Sequence, residues 1–129
     1  MPASATVATA YLHVRSNGDD GITVRQSADQ GSSIVQHNTA QRNGESGIAL
    51  HRGSVSHNVV DVNANGIDLR VGTASHNVVT RNVGSGLSLG VAASYIGNVL
   101  NGNGINVTAS GKNLGQNLCG TTVCPGAKF

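Results

Sequence analysis

The chain has 129 residues, about one domain's worth, with a net charge of +2, 11% charged residues and 2% aromatics. Gly contributes 18 residues and Asn 14, which excludes an ordinary helical domain rich in Leu, Glu and Lys. With no block of Lys or Arg and no run of about 18 apolar residues, neither nucleic-acid binding nor membrane insertion is expected, and 38% hydrophobic content argues against disorder.

Residues 1–14 come first. Met1-Pro2-Ala3-Ser4-Ala5-Thr6 has no basic stretch and no apolar core of signal-peptide type. The expectation is therefore that a leader has been removed or that the chain is a piece of something longer. Thr6, Val7, Thr9, Tyr11 and Val14 favour strand over helix. No cap is evident before the turn at Asn17-Gly18. An uncapped first coil leaves strand edges that can pair with another chain, so a homo-oligomer through the N-terminal coil is expected.

From Gly21 onward the chain repeats. Gly21-Ile22-Thr23-Val24 recurs as Gly47-Ile48-Ala49-Leu50, Gly66-Ile67-Asp68-Leu69, Gly86-Leu87-Ser88-Leu89 and Gly104-Ile105-Asn106-Val107, at steps of 26, 19, 20 and 18. The long first step leaves room for an insertion near residues 26–33. Ser27, Ala28, Asp29, Gln30, Gly31 and Ser32 hold no catalytic set, so a tolerated loop is expected there. One asparagine series runs Asn38, Asn58, Asn77, Asn98 and Asn117, and a second Asn17, Asn43, Asn63, Asn82 and Asn101. Three features thus share one period of about 20 residues.

The unit is read from its local pattern. Apolar and polar residues alternate, so the segments are strands. Asn17-Gly18, Asn43-Gly44, Asn65-Gly66, Asn101-Gly102 and Asn103-Gly104 supply turns that accept positive φ. The expected fold is all-β: a single-stranded parallel β-helix, a three-sided solenoid of about five coils of 18–21 residues. Each strand bonds to its equivalents about 4.8 Å above and below. Stacked amides can satisfy one another in a bend, so Asn38, Asn58, Asn77, Asn98 and Asn117 are expected to form a ladder. The expected core columns are Ile22/Ile48/Ile67/Leu87/Ile105, Val24/Leu50/Leu69/Leu89/Val107, Val35/Val55/Ala74/Tyr95/Leu114 and Ala40/Val60/Val79/Leu100. One domain spans 1–129, with an irregular first segment at 1–14, repeat coils at 15–117 and a cap at 118–129.

The pattern Ser-His-Asn-Val-Val, a second Asn five residues on, then Gly-Ile-x-Leu, resembles right-handed parallel β-helix repeats of bacteria, of pectate-lyase-like and alginate-epimerase-like type. The resemblance covers roughly residues 12–124 and implies the right hand, in agreement with parallel crossovers. It implies no single activity, because lyases, epimerases and inert scaffolds share the repeat.

Function must reside on what points outward. On the Gly-Ile-x-Leu strand the outward columns are Thr23/Ala49/Asp68/Ser88/Asn106 and Arg25/His51/Arg70/Gly90/Thr108. In the lyases and epimerases this repeat resembles, a cationic group neutralises the uronate carboxylate, a base takes the C5 proton and an acid helps the leaving oxygen. Arg25 and Arg70 could neutralise, His51 could be the base, and Asp68 lies beside Arg70. Neither an aromatic platform nor a calcium-binding acidic cluster is evident beside them. His37, His57 and His76 precede the ladder asparagines and form the other candidate column. Imidazoles about 5 Å apart could bind a transition metal or could be turn residues facing water, where protonation would set like charges side by side.

Cys119 and Cys124 stand where a solenoid needs a lid. A small disulfide loop is expected, with Pro125 ending the ladder; a zinc site would lack ligands. A disulfide implies an oxidising compartment, so the chain is expected to be secreted, periplasmic or cell-surface. The expected function is a non-enzymatic extracellular scaffold or interaction module, with no cofactor. The alternative is a polysaccharide lyase or epimerase, or its binding-only relic, acting on an acidic polysaccharide through Arg25, His51, Asp68 and Arg70.

Overall fold

The computed structural model describes residues 8–25, 32–108 and 110–125. The insertion expected near residues 26–33 lies mostly outside them. The strands are β1 (Ala8–Ala10), β2 (His13–Arg15), β3 (Ile22–Val24), β4 (Ser33–Gln36), β5 (Thr39–Gln41), β6 (Ser46–Ser56), β7 (Val59–Asp61), β8 (Asn65–Ser75), β9 (Val78–Thr80), β10 (Ser85–Ile96), β11 (Val99–Asn101), β12 (Ile105–Val107), β13 (Lys112–Asn113), β14 (Leu118–Cys119) and β15 (Thr122–Val123). There is no helix among the described residues. All pairings are parallel except β14 with β15. The result is a parallel β-helix of about four turns. The sequence suggests about five coils; the first and last are partial.

Residues about twenty apart do sit above one another. Ile22, Ile48, Ile67 and Leu87 pair in register, as do Val24, Leu50, Leu69 and Leu89. So do Val35, Val55, Ala74 and Tyr95, and Ala40, Val60, Val79 and Leu100. All are buried and form one core, because inward positions on every side of a coil converge on its axis.

The sides are not three separate short strands. In β6, β8 and β10 two sides run on as one strand of 11, 11 and 12 residues. Gly53 and Gly72, at φ +144° and +130°, carry β6 and β8 round the corner in register, while β10 takes up one extra residue there between Leu89 and Ala92. Those two sides therefore share one eight-stranded sheet, and the third side, ordered β15-β14-β11-β9-β7-β5-β2, forms the other.

The sharp corners come next to the ladder asparagines. His37, His57, His76, Gly97 and Gln116 have φ between +54° and +67° before one series. Ser16, Arg42, Val62, Arg81 and Gly102 have φ between +52° and +71° before the other. Among the Asn-Gly glycines, only Gly102 takes positive φ. The asparagine amides hold these corners. Asn38, Asn58, Asn77, Asn98 and Asn117 form the expected ladder, each Nδ2 donating to the next Oδ1 at 3.1, 3.0, 3.0 and 2.9 Å. The same Oδ1 atoms accept the backbone N–H of the asparagine one coil earlier at 2.9, 3.0, 2.9 and 2.9 Å. A left-handed turn made by a side chain such as His57 thus persists because the amide fixes the next N–H.

Three expectations are corrected at the C-terminal end. The second ladder runs Asn17, Asn43, Asn63, Asn82 and then Asn103, not Asn101. With Asn103 under Asn82, the Gly104-Ile105 motif arrives two places early. Ile105 opposes Ser85 and is exposed, while Val107 opposes Leu87 rather than Leu89. Asn113, not Leu114, lies under Tyr95, because its amide is engaged inside the lid. Hydrogen-bonded corners, not the motif, set the register there.

The lid forms as expected. Cys119 and Cys124 are bonded at 2.02 Å, closing the β14–β15 hairpin, and Cys124 is buried against the core.

Candidate functional site

The first side of the solenoid presents the charged face. Arg25 stands beside His51, and His51 beside Arg70, by the register of β3, β6 and β8, while Asp68 projects two residues before Arg70. Arg25, His51, Asp68 and Arg70 line one open depression of about 410 Å³, which Asp20, Thr23, Glu45 and Ser46 also line. The sequence-level set is therefore brought together, with carboxylates added.

Those carboxylates change its electrostatics. Asp20 is fixed in place: its Oδ2 accepts from Thr23 Oγ1 at 2.9 Å and its Oδ1 from Ser46 N at 2.8 Å. Asp19, by charge and by hydrogen bonding, and then Asp20 hold the Glu45 carboxyl above its usual range, against the pull of Arg25. Burial, helped by Asp20, raises the Asp68 carboxyl against Arg70. Three carboxylates thus share the depression with two guanidinium groups and one imidazole.

Asp19, Asp20 and Glu45 offer ligand atoms within 4.8 Å of one another, so carboxylates that the sequence reading did not place stand beside the face. The signal was in the alignment. Asp19 precedes Gly21 by two residues, as Glu45 precedes Gly47, and Glu45 N donates to Asp19 O. The 26-residue step between those glycines hid the correspondence.

Among the described residues, the connections beside the face are short. The connections leading into β6, β8 and β10 span residues 42–45, 62–64 and 81–84. Such lengths serve a tight corner and leave nothing to rise above the sheet.

The histidine column is a stack. Ring centroids of His37 and His57, and of His57 and His76, lie 5.2 Å apart, and Tyr11 caps His37 at 5.4 Å. The rings lie face to face, and among the described residues their nitrogens do not form a trio close enough to chelate one ion.

One ion pair lies on the third side. Arg81 Nε donates to Asp61 Oδ1 at 2.9 Å, its Nη2 reaches Oδ2, and Thr80 Oγ1 donates to Oδ1 at 2.8 Å. Burial alone would push the Asp61 carboxyl up. The hydrogen bonds from Arg81 and Thr80, with the charges of Arg81 and Arg42, outweigh it and hold it below its usual range. A depressed carboxyl stabilises the fold above its unfolded-state value and loses that contribution as pH falls. The stability gap between wild type and Asp61→Asn is therefore expected to close as the pH falls below about 4 in urea melts, and a gap unchanged by acid would contradict the assignment.

Comparisons with protein-family models, curated proteins and solved structures return no match. The strand register therefore carries the fold assignment as a parallel β-helix.

Proposed function

We propose that the chain is a non-enzymatic extracellular β-helix scaffold or interaction module. The observation that supports this most is the charge balance of the face. Arg25 and Arg70, the groups that would neutralise a uronate, share their depression with Asp20, Glu45 and Asp68. A polyanion approaching that face meets as many carboxylates as basic groups, and among the described residues no loop from the repeat corners excludes water from it. The lid disulfide supports a secreted, periplasmic or cell-surface setting. The repeat itself is read as the bacterial pectate-lyase-like type from its Ser-His-Asn-Val-Val pattern.

The test is an assay for unsaturated sugar release and C5 epimerisation on polyuronates, with a glycan array run in parallel. Wild type and His51→Ala are both expected to be inactive. Turnover by the wild type that His51→Ala abolishes would overturn the scaffold reading in favour of a lyase or epimerase. Retention of acidic polysaccharide without turnover, lost in an Arg25→Ala/Arg70→Ala variant, would identify the module's ligand.

A further inference from the structure

Five asparagines are followed directly by glycine: Asn17, Asn43, Asn65, Asn101 and Asn103. Such a pair carries a latent reaction, because glycine has no side chain to shield its backbone nitrogen from the preceding amide. The fold treats the five differently.

Four of the side chains are held. Asn17 Nδ2 donates to Asn43 Oδ1 at 3.0 Å, and Asn43 Nδ2 donates to Asn63 Oδ1 at 2.9 Å. Asn103 Oδ1 accepts from Asn82 N and Nδ2 at 3.0 and 2.8 Å, while its own Nδ2 donates to Val79 O at 2.9 Å. Asn65 Oδ1 accepts from Ser85 N at 3.0 Å. In two of these pairs the following N–H is also taken: Gly44 N donates to Asn17 O at 2.8 Å, and Gly104 N to Asn82 O at 3.1 Å.

Asn101 is the exception. Its side chain is exposed and makes no hydrogen bond among the described residues. The corner residue after it is bonded in every earlier coil: Ser16 N to Gln41 O, Arg42 N to Asp61 O, Val62 N to Thr80 O and Arg81 N to Asn101 O. Gly102 N, next in that series, has no acceptor among the described residues. The lid is the cause. β14 pairs with Val99 and Leu100 and then turns back into β15, so it does not run on beside Asn101. Asn101 O, accepting from Arg81 N at 2.9 Å, is what ties the 101–102 peptide to a neighbouring coil.

We propose that Asn101 is a site of spontaneous deamidation created by the way the lid ends the solenoid. Gly102 N attacks Asn101 Cγ and forms a C–N bond. The Cγ–Nδ2 bond breaks, and ammonia leaves with the proton that Gly102 N gives up. Water then opens the cyclic imide at either carbonyl, leaving aspartate or isoaspartate at 101. The new carboxylate stands in the row Asp61, Thr80, Asn101, beside the Arg81 that Asp61 holds, and the net charge of +2 falls by one. The other four amides must first break their hydrogen bonds by local opening, which slows the same reaction there. The reaction needs only water and holds whether or not the charged face binds anything.

Ageing of the full chain at mildly alkaline pH, followed by peptide mapping with fragmentation that resolves 101 from 103, tests it. In the folded protein, conversion at Asn101 is expected to outpace each of the other four pairs at least about tenfold. In urea all five are expected to convert at comparable rates, because unfolding frees every amide. Isoelectric focusing of the aged folded protein is expected to show one dominant acidic form, absent from Asn101→Ser. Conversion in the folded protein that is as fast at Asn17, Asn43, Asn65 or Asn103 overturns the proposal. So does an Asn101 that stays intact in the folded protein while the urea-unfolded chain converts at that position.

Discussion

Gly72→Ala is expected to cost about 4 kcal/mol or more and to leave little of the fold at ambient temperature. Gly72 sits at the corner inside β8 with φ +130°, a region that L side chains rarely adopt. Its missing Cβ would also lie 1.8 Å from the carbonyl oxygen of Gly53, one coil earlier. That neighbour is backbone, so no rotamer change relieves the overlap. Moving it would break the pairing between Gly53 and Gly72 and spread the strain to Ser33, which pairs with Gly53. The control is Gly120→Ala. Gly120 also has positive φ, at +71°, but nothing lies within 4 Å of its would-be Cβ. That change should cost only about 1 kcal/mol, the conformational penalty by itself. Urea melts of both variants measure the difference. Equal losses would mean that the coils are not in close backbone contact at this corner.

Asn77→Ala is expected to cost about 3–5 kcal/mol. Asn77 is fully buried in the middle of the ladder. Its Oδ1 accepts from Asn58 N and Nδ2, each at 3.0 Å. Its Nδ2 donates to Val55 O at 2.9 Å and Asn98 Oδ1 at 3.0 Å. Alanine keeps the chain trace but strands those partners away from water, and the corner at His57 loses the acceptor that holds the following N–H. Asn77→Asp separates the two halves of the role. It keeps the acceptors, loses the donors and buries a charge, so its loss should be greater at pH 7 than in acid, where a protonated carboxyl can donate again. A loss for Asn77→Ala within about 1 kcal/mol, the scale of a surface polar change, would show that the ladder does not support the fold.

The long-range order of this molecule was unusually legible in its residues. Ile48 over Ile67 and Asn58 over Asn77 follow from a period near 20 alone, since a solenoid turns sequence separation directly into position. The reading failed where the repeat was imperfect. Asn101 and Asn103 both fit the ladder by spacing, and only Asn103 reaches Asn82. Leu114 continued an apolar column on paper, but Asn113 took the place because the lid offers it carbonyl partners. The charged face was half legible. Arg25, His51, Asp68 and Arg70 lie on regular strand positions and could be stacked by counting. Asp20 and Glu45 lie on corners, where the chain direction changes and counting by twos no longer tells which way a side chain points.

Periodicity by itself determined that this chain is a coil of parallel strands with an aliphatic and amide interior and a cystine lid. A uniform rise per coil makes every repeat a copy of the same local problem, and such a pattern has few other ways to bury its valines and isoleucines. Only the assembled coils decided that carboxylates would crowd the arginine face and that Tyr11 would cap the column of three imidazoles. Those outcomes depend on corner backbone angles, quantities that exist only once neighbouring turns are in contact.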